Sequence, residues 1–482
     1  MRYNNYHKHD HVSNIFTPDT NTKQEDYILK ALEYGHTSYY TVNHGSFGDV
    51  FEARTLCNKY GLRCIAGIEG YIVPDASQKD KRNYHIIVIP KTDEARKKMN
   101  YVSSMANIKG FYYKPRFFLS DLLKLDPNDV YITTACVAGL LRDEDSINEI
   151  FMPLYKHFKE NVMLEVQTHD DPLQIEINKK AIYLSDQYGL SLIAANDSHY
   201  IDESGKEERL ELLRGKHINY GSEDDFILDY PTAETMIERF KKQGVLTDRQ
   251  ISDALNNTLL FDECEEIQLD YSIKMPTIYP NLTPEQRVGL LKKEVNKRFK
   301  EIRKEEHIEG EEFKKYKDGI RYEMKIIEDT NDEIHTADYF LFNEKNVDLA
   351  VNKYGGVLTR GGRGSCGSFY INRILGMTQL DRFKINLPLF PDRFASTARL
   401  LENRSLPDID FNVKSQEPFI KASRELLGEH GCYPMYAPGT MQISEAFRNV
   451  CRSKNMSFDE FNHVAKNLEE YQDDPKWNFK QH

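Results

Sequence analysis

The sequence predicts an α/β fold for residues 1 to about 270, because short apolar runs alternate there with helical patterns. Each run is rich in Ile, Val or Tyr and is bounded by Gly, Pro, Asn or Asp, which is typical of strands. The runs are SYYTV (38–42), RCIAGIEGYIV (63–73), HIIVIP (85–90), VYITTACVAG (130–139), NVMLEVQTH (161–169) and LSLIAAND (190–197). Repeated strand-then-helix units predict a parallel arrangement, either a barrel or an open sheet.

Helix and linker signals punctuate the chain. Thr22-Lys-Gln-Glu25 has the spacing of a capping box at the start of a helix. The segment at 176–189 predicts a helix that ends on Gly189. The stretch SIKMPTIYPNLTPEQ has three prolines and predicts a linker near 272–290, and a long charged helix is expected at 290–307.

The composition restricts the class of protein. The chain has 482 residues, of which 40% are hydrophobic and 29% are charged, which fits about two to four globular domains. No apolar run approaches the roughly 18 residues of a membrane span, and the N-terminus lacks the apolar core of a secretory signal. Seven scattered cysteines without a C-x-x-C pair indicate a reducing, cytoplasmic setting. The net charge of −12 argues against a dedicated nucleic-acid-binding domain, but not against an enzyme that acts on nucleic acid through metal ions.

Metal-ligand residue types collect at the ends of the predicted strands. His7 and His9 form an H-x-H pair, and Asp197 and His199 repeat that spacing. Residues i and i+2 of a strand face the same side, so each pair can reach one metal. The further candidates are Asp19, His44, Glu69, His85 and Cys136. Mixed imidazole, carboxylate and thiolate ligands suit zinc, manganese or iron better than magnesium alone, and so many ligands predict two or three ions that hydrolyse phosphoesters.

A glycine-rich loop and an acidic motif form a second constellation. The loop RGGRGSCGS (360–368) follows a predicted helix and a short strand, and its glycines allow backbone N–H groups to approach phosphate oxygens. Asp408 and Asp410 lie further on in LPDIDFN (406–412), at i and i+2 of a predicted strand, so both carboxylates point to one side. Adjacent carboxylates repel unless a cation lies between them, and paired Mg²⁺ ions fill this role in phosphoryl transfer.

The first region resembles the polymerase and histidinol phosphatase (PHP) domain, and in particular the PHP domain of bacterial DNA polymerase III alpha subunits. The motifs that carry the resemblance are NHGSFGDVFEA, GIEGYIVP, NYHIIVI, NIKGFYYKPRF, TTACVAGLL and AANDSHY. The resemblance implies a distorted (β/α) barrel that binds Zn²⁺ or Mn²⁺ through His7, His9, Asp19, His44, Glu69, His85, Cys136, Asp197 and His199. Asn43 stands where the family usually has Asp. The loop before Asp19 is longer than the family spacing, which leaves Asp10 open as the ligand in its place.

The second constellation resembles the palm of the same polymerase family. GGRGSCGSFYINRILGMTQLD is similar to the family segment G-P-G-R-G-S-A-A-G-S, and LPDIDFNV is similar to its P-D-x-D-x-D-F strand. This resemblance implies a partial palm of the beta-nucleotidyltransferase type (α+β), with Asn412 in place of the third acid of the motif. In such a palm Asp408 and Asp410 hold two Mg²⁺ ions, and the triphosphate is bound by Arg363, Gly364, Ser365, Gly367 and Ser368. The implied domains are a PHP domain (1–271), a partial palm (272–430) and the start of a helical thumb (431–482).

The function that the resemblance implies is DNA synthesis by attack of a primer 3′-hydroxyl on a deoxynucleoside triphosphate, on a DNA primer–template and away from membranes. The family's third catalytic Asp and its fingers have no counterpart in these residues. That implies a second polymerase chain, a truncated product or a chain that keeps only the PHP activity, and a viral or mobile-element copy would fit. The alternative functions are a metal-dependent phosphoesterase, such as a 3′–5′ proofreading exonuclease, and a remnant whose metals only stabilise the fold.

Overall fold

The structure is a computed structural model that describes residues 2–48, 50–221, 226–359, 361, 363–429, 431–433 and 439–469. The described residues divide into two compact units. The first unit takes those within Met1–Leu269 and Pro438–His482, and the second unit takes those within Asp270–Ala437. The helices expected to start a thumb therefore group with the first unit.

The strands of the first unit form one mixed sheet and one parallel pair. They are β1 Ser38–Tyr40, β2 Arg63–Ile65, β3 Ile68–Ile72, β4 Tyr84–Pro90, β5 Phe111–Tyr112, β6 Lys114–Phe117, β7 Val130–Thr133, β8 Val162–Gln167 and β9 Leu192–Ala195. The sheet has the order β5-β6-β3-β4-β7-β8-β9, and β1 pairs with β2. β4 is antiparallel to both β3 and β7, so the prediction of a parallel arrangement is wrong for this strand. The reason is that a loop, and not a crossover helix, joins β3 to β4.

An extended N-terminal segment closes this sheet into the distorted barrel that was expected. Lys8 forms a parallel bridge with Ser198, just after β9. On the other side its Nζ donates a hydrogen bond to the hydroxyl of Tyr39 in β1, at 2.6 Å. Beyond β1, His44 forms a parallel bridge with Glu69 of β3. The N-terminal segment and β1 therefore connect the two sides of the sheet.

Alternate residues of β4 pack into two different apolar clusters, as a closed sheet requires. Ile86 and Val88 belong to the large outer cluster that includes residues of the surrounding helices. Ile87 and Ile89 belong to a smaller cluster within the barrel, whose other members are Tyr6, Tyr40, Val42, Ile65, Ala135, Met163, Ile193, Ala195, Phe261 and Cys264. The interior of the barrel is thus filled with side chains, and a site has to lie at its rim.

The helices of the two units follow in chain order. They are α1 Gln24–Glu33, α2 Val50–Tyr60, α3 Asp93–Ile108, α4 Leu119–Leu122, α5 Glu144–Ser146, α6 Met152–Phe158, α7 Pro172–Tyr188, α8 Glu203–Gly215, α9 Ala233–Gln243, α10 Asp248–Asn257, α11 Pro284–Glu305, α12 Gly310–Ile334, α13 Thr336–Asn352, α14 Tyr370–Ile374, α15 Thr397–Leu401, α16 Glu417–Leu427, α17 Ile443–Ser453 and α18 Phe458–Glu469. Within the described part of the chain, none of them has the length and apolar character needed to cross a bilayer.

The start of α1 differs by one residue from the capping box predicted at Thr22. The N-cap is Lys23, whose backbone N–H donates to the Asp26 carboxylate at 3.1 Å. The Thr22 hydroxyl donates instead to the carbonyl of His199, at 3.2 Å. Thr22 is therefore used to fix the segment that follows β9, and the helix begins after it.

The second unit is mainly helical. α11, α12 and α13 pack around an apolar core that includes Leu291, Phe299 and Phe340. The predicted linker is shorter than expected, because α11 already starts at Pro284. Sheet structure among the described residues of this unit is limited to β10 Leu358–Thr359, antiparallel to β11 Asn412–Val413.

Candidate metal centre and phosphate-binding loop

The predicted ligands of the first unit converge at one rim of the barrel. Because β4 is antiparallel to β7, the first residues of β4 lie beside the segment that follows β7, and His85 forms a bridge with Gly139. Three overlapping groups each place three potential metal-ligand atoms within 4.8 Å of one another. They are His9–His44–His199, His7–His9–Glu69 and His44–Glu69–His85. All nine predicted ligands make the contacts described below.

Glu69 lies at the centre of this cluster and is 1% exposed. Its Oε1 is 3.3 Å from His7 Nε2 and 3.0 Å from His85 Nδ1. Its Oε2 is 3.3 Å from His9 Nε2 and 2.7 Å from His44 Nδ1. Burial raises the pKa of Glu69, but the neighbouring imidazoles outweigh burial and hold that pKa well below its usual range. The carboxylate is therefore ionised and available to a cation.

Asp197 supplies a second buried carboxylate. Its Oδ1 lies 3.1 Å from both His7 Nε2 and His9 Nε2. Its φ of 51° is in the left-handed region, which costs a non-glycine residue free energy and is often found where a side chain must be aimed at a site. Burial raises the pKa of Asp197, but the charges of His7 and His199 hold it well below the usual range.

Hydrogen bonds on the far side of the rings orient His7 and His9. His7 Nδ1 lies 2.7 Å from Glu165 Oε1, and His9 Nδ1 lies 3.0 Å from the Ser13 hydroxyl. The Ser13 hydroxyl in turn donates to Asn43 Oδ1 at 2.8 Å, so that it accepts from His9. With Nδ1 held by these partners, Nε2 is the ring atom that faces the cluster, and it would bind a metal after losing its proton.

Glu165 is a residue that the sequence reasoning missed. It is buried in β8, where its carboxylate accepts hydrogen bonds from the Tyr6 hydroxyl at 2.6 Å and from Gln167 Nε2 at 2.7 Å. A charged residue inside the apolar run VMLEVQ was the available signal, because burying an unpaired carboxylate is costly. Its partner is His7 of the metal cluster.

Asp19 joins the cluster from the loop before α1. Its Oδ2 is 3.1 Å from His44 Nε2 and 2.9 Å from His199 Nε2. Its Oδ1 is 2.6 Å from Arg209 Nη2 of α8. Burial raises the pKa of Asp19, but the charge of His199 and the hydrogen bonds around the carboxylate hold it well below the usual range.

Asp10, the alternative to Asp19, lies in a separate buried network. Its carboxylate is 2.7 Å from Lys8 Nζ and accepts a hydrogen bond from the Tyr39 hydroxyl at 2.8 Å. Asn43, which replaces the usual Asp of the family, donates to the same carboxylate at 3.2 Å. The geometry therefore favours Asp19 as the ligand and gives Asp10 and Asn43 a supporting role.

Cys136 and His85 lie at the outer side of the cluster. Cys136 Sγ is 3.4 Å from His85 Nδ1 and 3.9 Å from Glu69 Oε1. The chain turns after β7 through Ala135, whose φ of 57° is again left-handed. This turn brings the thiol back toward the carboxylate.

The donor set fits divalent cations. Several of its buried atoms have no hydrogen-bond partner within the described chain, although they face one another across the cluster. They are His7 Nε2, His9 Nε2, His44 Nδ1, Glu69 Oε2 and Asp197 Oδ1. Buried polar atoms without partners are rare in native proteins, and cations bound between these atoms would satisfy them.

A cleft of about 270 Å³ opens onto this cluster, and cationic side chains line it. Lys114 comes from β6, and its Nζ donates a hydrogen bond to the Thr17 hydroxyl at 3.0 Å. Arg142 comes from the segment after β7 and is exposed. The sequence reasoning did not single out either residue, although both lie within or next to quoted motifs. Both can contact the phosphate of a substrate.

The second constellation is brought together in the second unit. An ideal Cβ on Gly364 would lie 2.8 Å from Asp410 Oδ2, and Gly364 has a φ of 63°. The left-handed φ favours glycine at this position, and a larger residue would also displace the Asp410 side chain. Arg363 Nη1 donates to Asn412 Oδ1 at 2.7 Å, so the loop and the acidic motif are in direct contact. Arg360 and Gly362 of the same loop lie outside the described residues.

The rest of the loop borders a cavity of about 190 Å³, which Ser365, Gly367, Ser368 and Arg393 help to line. Ser368 is 2% exposed, and its hydroxyl donates to the carbonyl of Ser365 at 2.7 Å. Ser368 therefore holds the loop in shape. Arg393, which the sequence reasoning did not assign to the site, adds a positive charge to the cavity wall.

Asp408 and Asp410 are exposed and precede the strand on which they were expected. The strand begins only at Asn412, because its partner β10 offers two residues for pairing. The side that the carboxylates face is nevertheless as predicted, since Ile409 and Phe411 pack on the apolar core and the acidic residues alternate with them.

Comparison with known proteins defines the class of both regions. The family model of the PHP domain matches residues 6–169, and the model described as bacterial DNA polymerase III alpha NTPase domain matches residues 289–481. The PHP match implies divalent metal ions, in agreement with the donor set above. The chain thus contains a region that matches the PHP domain, followed by a region that matches the polymerase III alpha NTPase domain.

Several curated relatives match this chain over nearly its whole length. The DNA polymerase III subunit alpha of Aquifex aeolicus (strain VF5) is 25% identical over 477 residues, which is 92% of this chain and 39% of the relative. That of Borreliella burgdorferi is 26% identical over 491 residues, 96% of this chain and 40% of the relative. An amidohydrolase structure from Chromobacterium violaceum matches with 13% identity and a TM-score of 0.28, over 40% of this chain and 87% of that chain, a likeness too weak to support an argument. The chain is thus similar over nearly its whole length to bacterial DNA polymerase III alpha subunits, and it spans about 40% of the length of these curated relatives.

Proposed function

We propose that the chain is the N-terminal portion of a cytoplasmic, DNA-directed DNA polymerase, and that its PHP unit hydrolyses phosphodiesters, most plausibly as a 3′–5′ proofreading exonuclease. The observation that carries the second part is the convergence of buried donor atoms without hydrogen-bond partners on Glu69 and Asp197. A site that only stabilised the fold would not need the open cleft beside them.

The residues of the chain have distinct roles in this hydrolysis. His7, His9, Asp19, His44, Glu69, His85, Cys136, Asp197 and His199 would hold Zn²⁺ or Mn²⁺. When bound, the ions activate a water molecule and stabilise the charge on the phosphate. Lys114 and Arg142 bind the phosphate from the cleft side. Water adds to the terminal phosphorus, the bond to the 3′ oxygen of the preceding nucleotide breaks, and a nucleoside 5′-monophosphate leaves.

The test is to incubate the purified chain with Mn²⁺ or Zn²⁺ and a 3′-labelled primer–template. Release of labelled mononucleotide is expected, and Asp197→Asn should abolish it. Asp408→Asn is the matched control, because it makes the same substitution at the other candidate site and should leave hydrolysis intact. If the unsubstituted chain releases no nucleotide with either metal, the phosphoesterase proposal fails.

Nucleotidyl transfer is the second candidate, and the contact of the glycine loop with Asp410 favours it. In this proposal Asp408 and Asp410 hold two Mg²⁺ ions, and Arg363, Gly364 and Ser365 bind the triphosphate, with Gly367 and Ser368 shaping the loop. The third carboxylate and the fingers come from sequence beyond these residues, in a second chain or later in the same polypeptide.

That proposal is tested by adding Mg²⁺, deoxynucleotides and a longer segment from a relative that carries the missing parts. Extension of the primer, abolished by Asp408→Asn, is expected. Extension that survives this substitution would show that the palm carboxylates of this chain are not used.

A further inference from the structure

The hairpin of β5 and β6 carries aromatic side chains that the metal site does not use. Phe111 is 52% exposed and Tyr113 is 66% exposed, although both are large and apolar. Tyr112 and Tyr113 form an edge-to-face pair with ring centroids 4.7 Å apart. Exposed aromatic residues that are clustered, rather than scattered, mark surfaces that bind something.

Tyr113 is also held in a strained backbone conformation. Its φ is 62°, which is in the left-handed region that a bulky residue rarely adopts. Glycine would occupy this turn position without strain. A strained aromatic residue at the tip of a hairpin is a reason to look for a function of its side chain.

The hairpin adjoins the mouth of the metal cleft. Lys114 follows Tyr113 directly and lines the cleft, with its Nζ 5.1 Å from the centre of the Tyr71 ring. An ideal Cβ on Gly45, which follows the candidate ligand His44, would lie 3.0 Å from Pro115 Cγ. One short segment therefore presents aromatic rings to solvent and a cation to the cleft.

We propose that this hairpin is a stacking platform for the bases of single-stranded DNA whose 3′ end enters the metal cleft. The proposal rests on the phosphoesterase function above and specifies its substrate as an unpaired 3′ end. Aromatic rings next to cations are the arrangement by which proteins bind single strands without reading their sequence. Phe111 and Tyr113 would stack on bases, while Lys114 holds the phosphate that follows them. Such a platform favours a frayed terminus over a paired one, since only unpaired bases can stack on it.

The experiment measures binding of a 5′-fluorescein-labelled single-stranded oligonucleotide to the full chain by anisotropy, with EDTA present so that nothing is hydrolysed. Tyr113→Ala and Phe111→Ala are each expected to weaken binding about tenfold. Tyr183→Ala is the matched control, because Tyr183 is 65% exposed on α7 and does not line the cleft. It should leave the affinity within twofold.

Two further measurements separate stacking from misfolding. Tyr113→Gly relieves the strained φ, so it should raise the melting temperature while still weakening binding about tenfold. An oligonucleotide with abasic sites near its 3′ end should bind the unsubstituted chain about tenfold more weakly and should bind Tyr113→Ala equally weakly, because no base is left to stack. Tyr113→Phe should restore binding of the normal oligonucleotide.

The outcomes distinguish this inference from the proposed function. Hydrolysis of bis(p-nitrophenyl) phosphate by the unsubstituted chain reports on the metal site without any base to stack. If this small diester is cleaved but the hairpin variants bind DNA normally, the platform is disproved and the rings serve another partner, such as a protein. Absence of measurable DNA binding would disprove it as well. If the variants lose affinity but no diester is cleaved, the platform stands and the phosphoesterase proposal fails.

Discussion

The two candidate sites differ in how firmly the fold holds their carboxylates. Glu69 of the first unit is 1% exposed, and four imidazoles surround it. Asp408 and Asp410 of the second unit are exposed and precede a strand of two residues. The barrel rim thus presents a preorganised set of candidate metal ligands, whereas the carboxylates of the acidic motif are open to solvent. A site whose charged groups are already held in place can function without ligands from another segment or chain.

The largest effect is expected from Glu69→Gln, which removes the charge at the centre of the barrel site. Hydrolysis should fall about a thousandfold, because an ion that stabilises a developing phosphate charge contributes several kcal/mol. Bound Zn²⁺ or Mn²⁺, measured by inductively coupled plasma mass spectrometry, should fall in parallel. Asp410→Asn should change neither quantity. If both substitutions reduce metal content equally, the contrast between the two sites is wrong.

A smaller effect is expected from pH, through a buried histidine of the first unit. His36 Nδ1 is hydrogen-bonded to the Tyr230 hydroxyl at 3.0 Å, and burial lowers the pKa of His36 to about 4. In the unfolded chain the imidazole of His36 takes up a proton below about pH 6.5, whereas in the folded chain it does so only below about pH 4. The folded state is therefore destabilised as the pH falls from 6.5 to 4.

The loss from His36 should amount to about 3 kcal/mol across that pH range. The measurement is the free energy of unfolding in urea at pH 7 and pH 4.5, for the unsubstituted chain and for His36→Gln. The difference between the two proteins isolates this histidine from the metal ligands. His463→Gln, at an exposed position of α18, is the control and should follow the unsubstituted chain. An equal pH dependence in His36→Gln would contradict the assignment.

The next effect concerns Glu165, which orients a ligand without belonging to the cluster. Glu165→Gln keeps the size of the side chain but removes the negative charge that accepts the hydrogen bond from His7 Nδ1–H. The metal affinity should therefore fall about 10- to 100-fold. Competition with a chelating dye measures this affinity. Glu176→Gln makes the same substitution at an exposed position of α7 and should have no effect. An unchanged affinity in Glu165→Gln would show that the ring of His7 is fixed by packing alone.

The residue pattern predicted which side chains converge at the barrel rim better than it predicted the residues that support them. Spacing alone identified the His7/His9 and Asp197/His199 pairs, because i and i+2 residues share one side of an extended chain. Spacing could not decide between Asp10 and Asp19 as the candidate ligand. The decision depends on the three-dimensional contact between Asp10 and Lys8, which keeps the Asp10 carboxylate away from the cluster. Glu165 was missed because its partner His7 is distant in sequence.

Strand direction and length were harder to predict. The apolar run of β4 reads the same in either direction, and only the loop between β3 and β4 makes it antiparallel. The alternation around Asp408 predicted which way the carboxylates face, but not where pairing begins. Pairing depends on β10, and β10 has only two residues.

The smallest effect is expected at the contact between the glycine loop and Asp410. Gly364→Ala places a Cβ 2.8 Å from Asp410 Oδ2 and forces alanine into a left-handed φ, at a cost of about 1–2 kcal/mol. Gly361→Ala is the matched control, because no heavy atom of the described residues lies within 4 Å of its ideal Cβ. Hydrogen exchange of peptides from 358–413 measures the local loss of protection. Only Gly364→Ala should increase exchange there, while peptides of the barrel rim stay protected in both variants. Equal exchange in the two variants would mean that Gly364 does not pack against Asp410, and this close approach would then not hold the loop to the acidic motif.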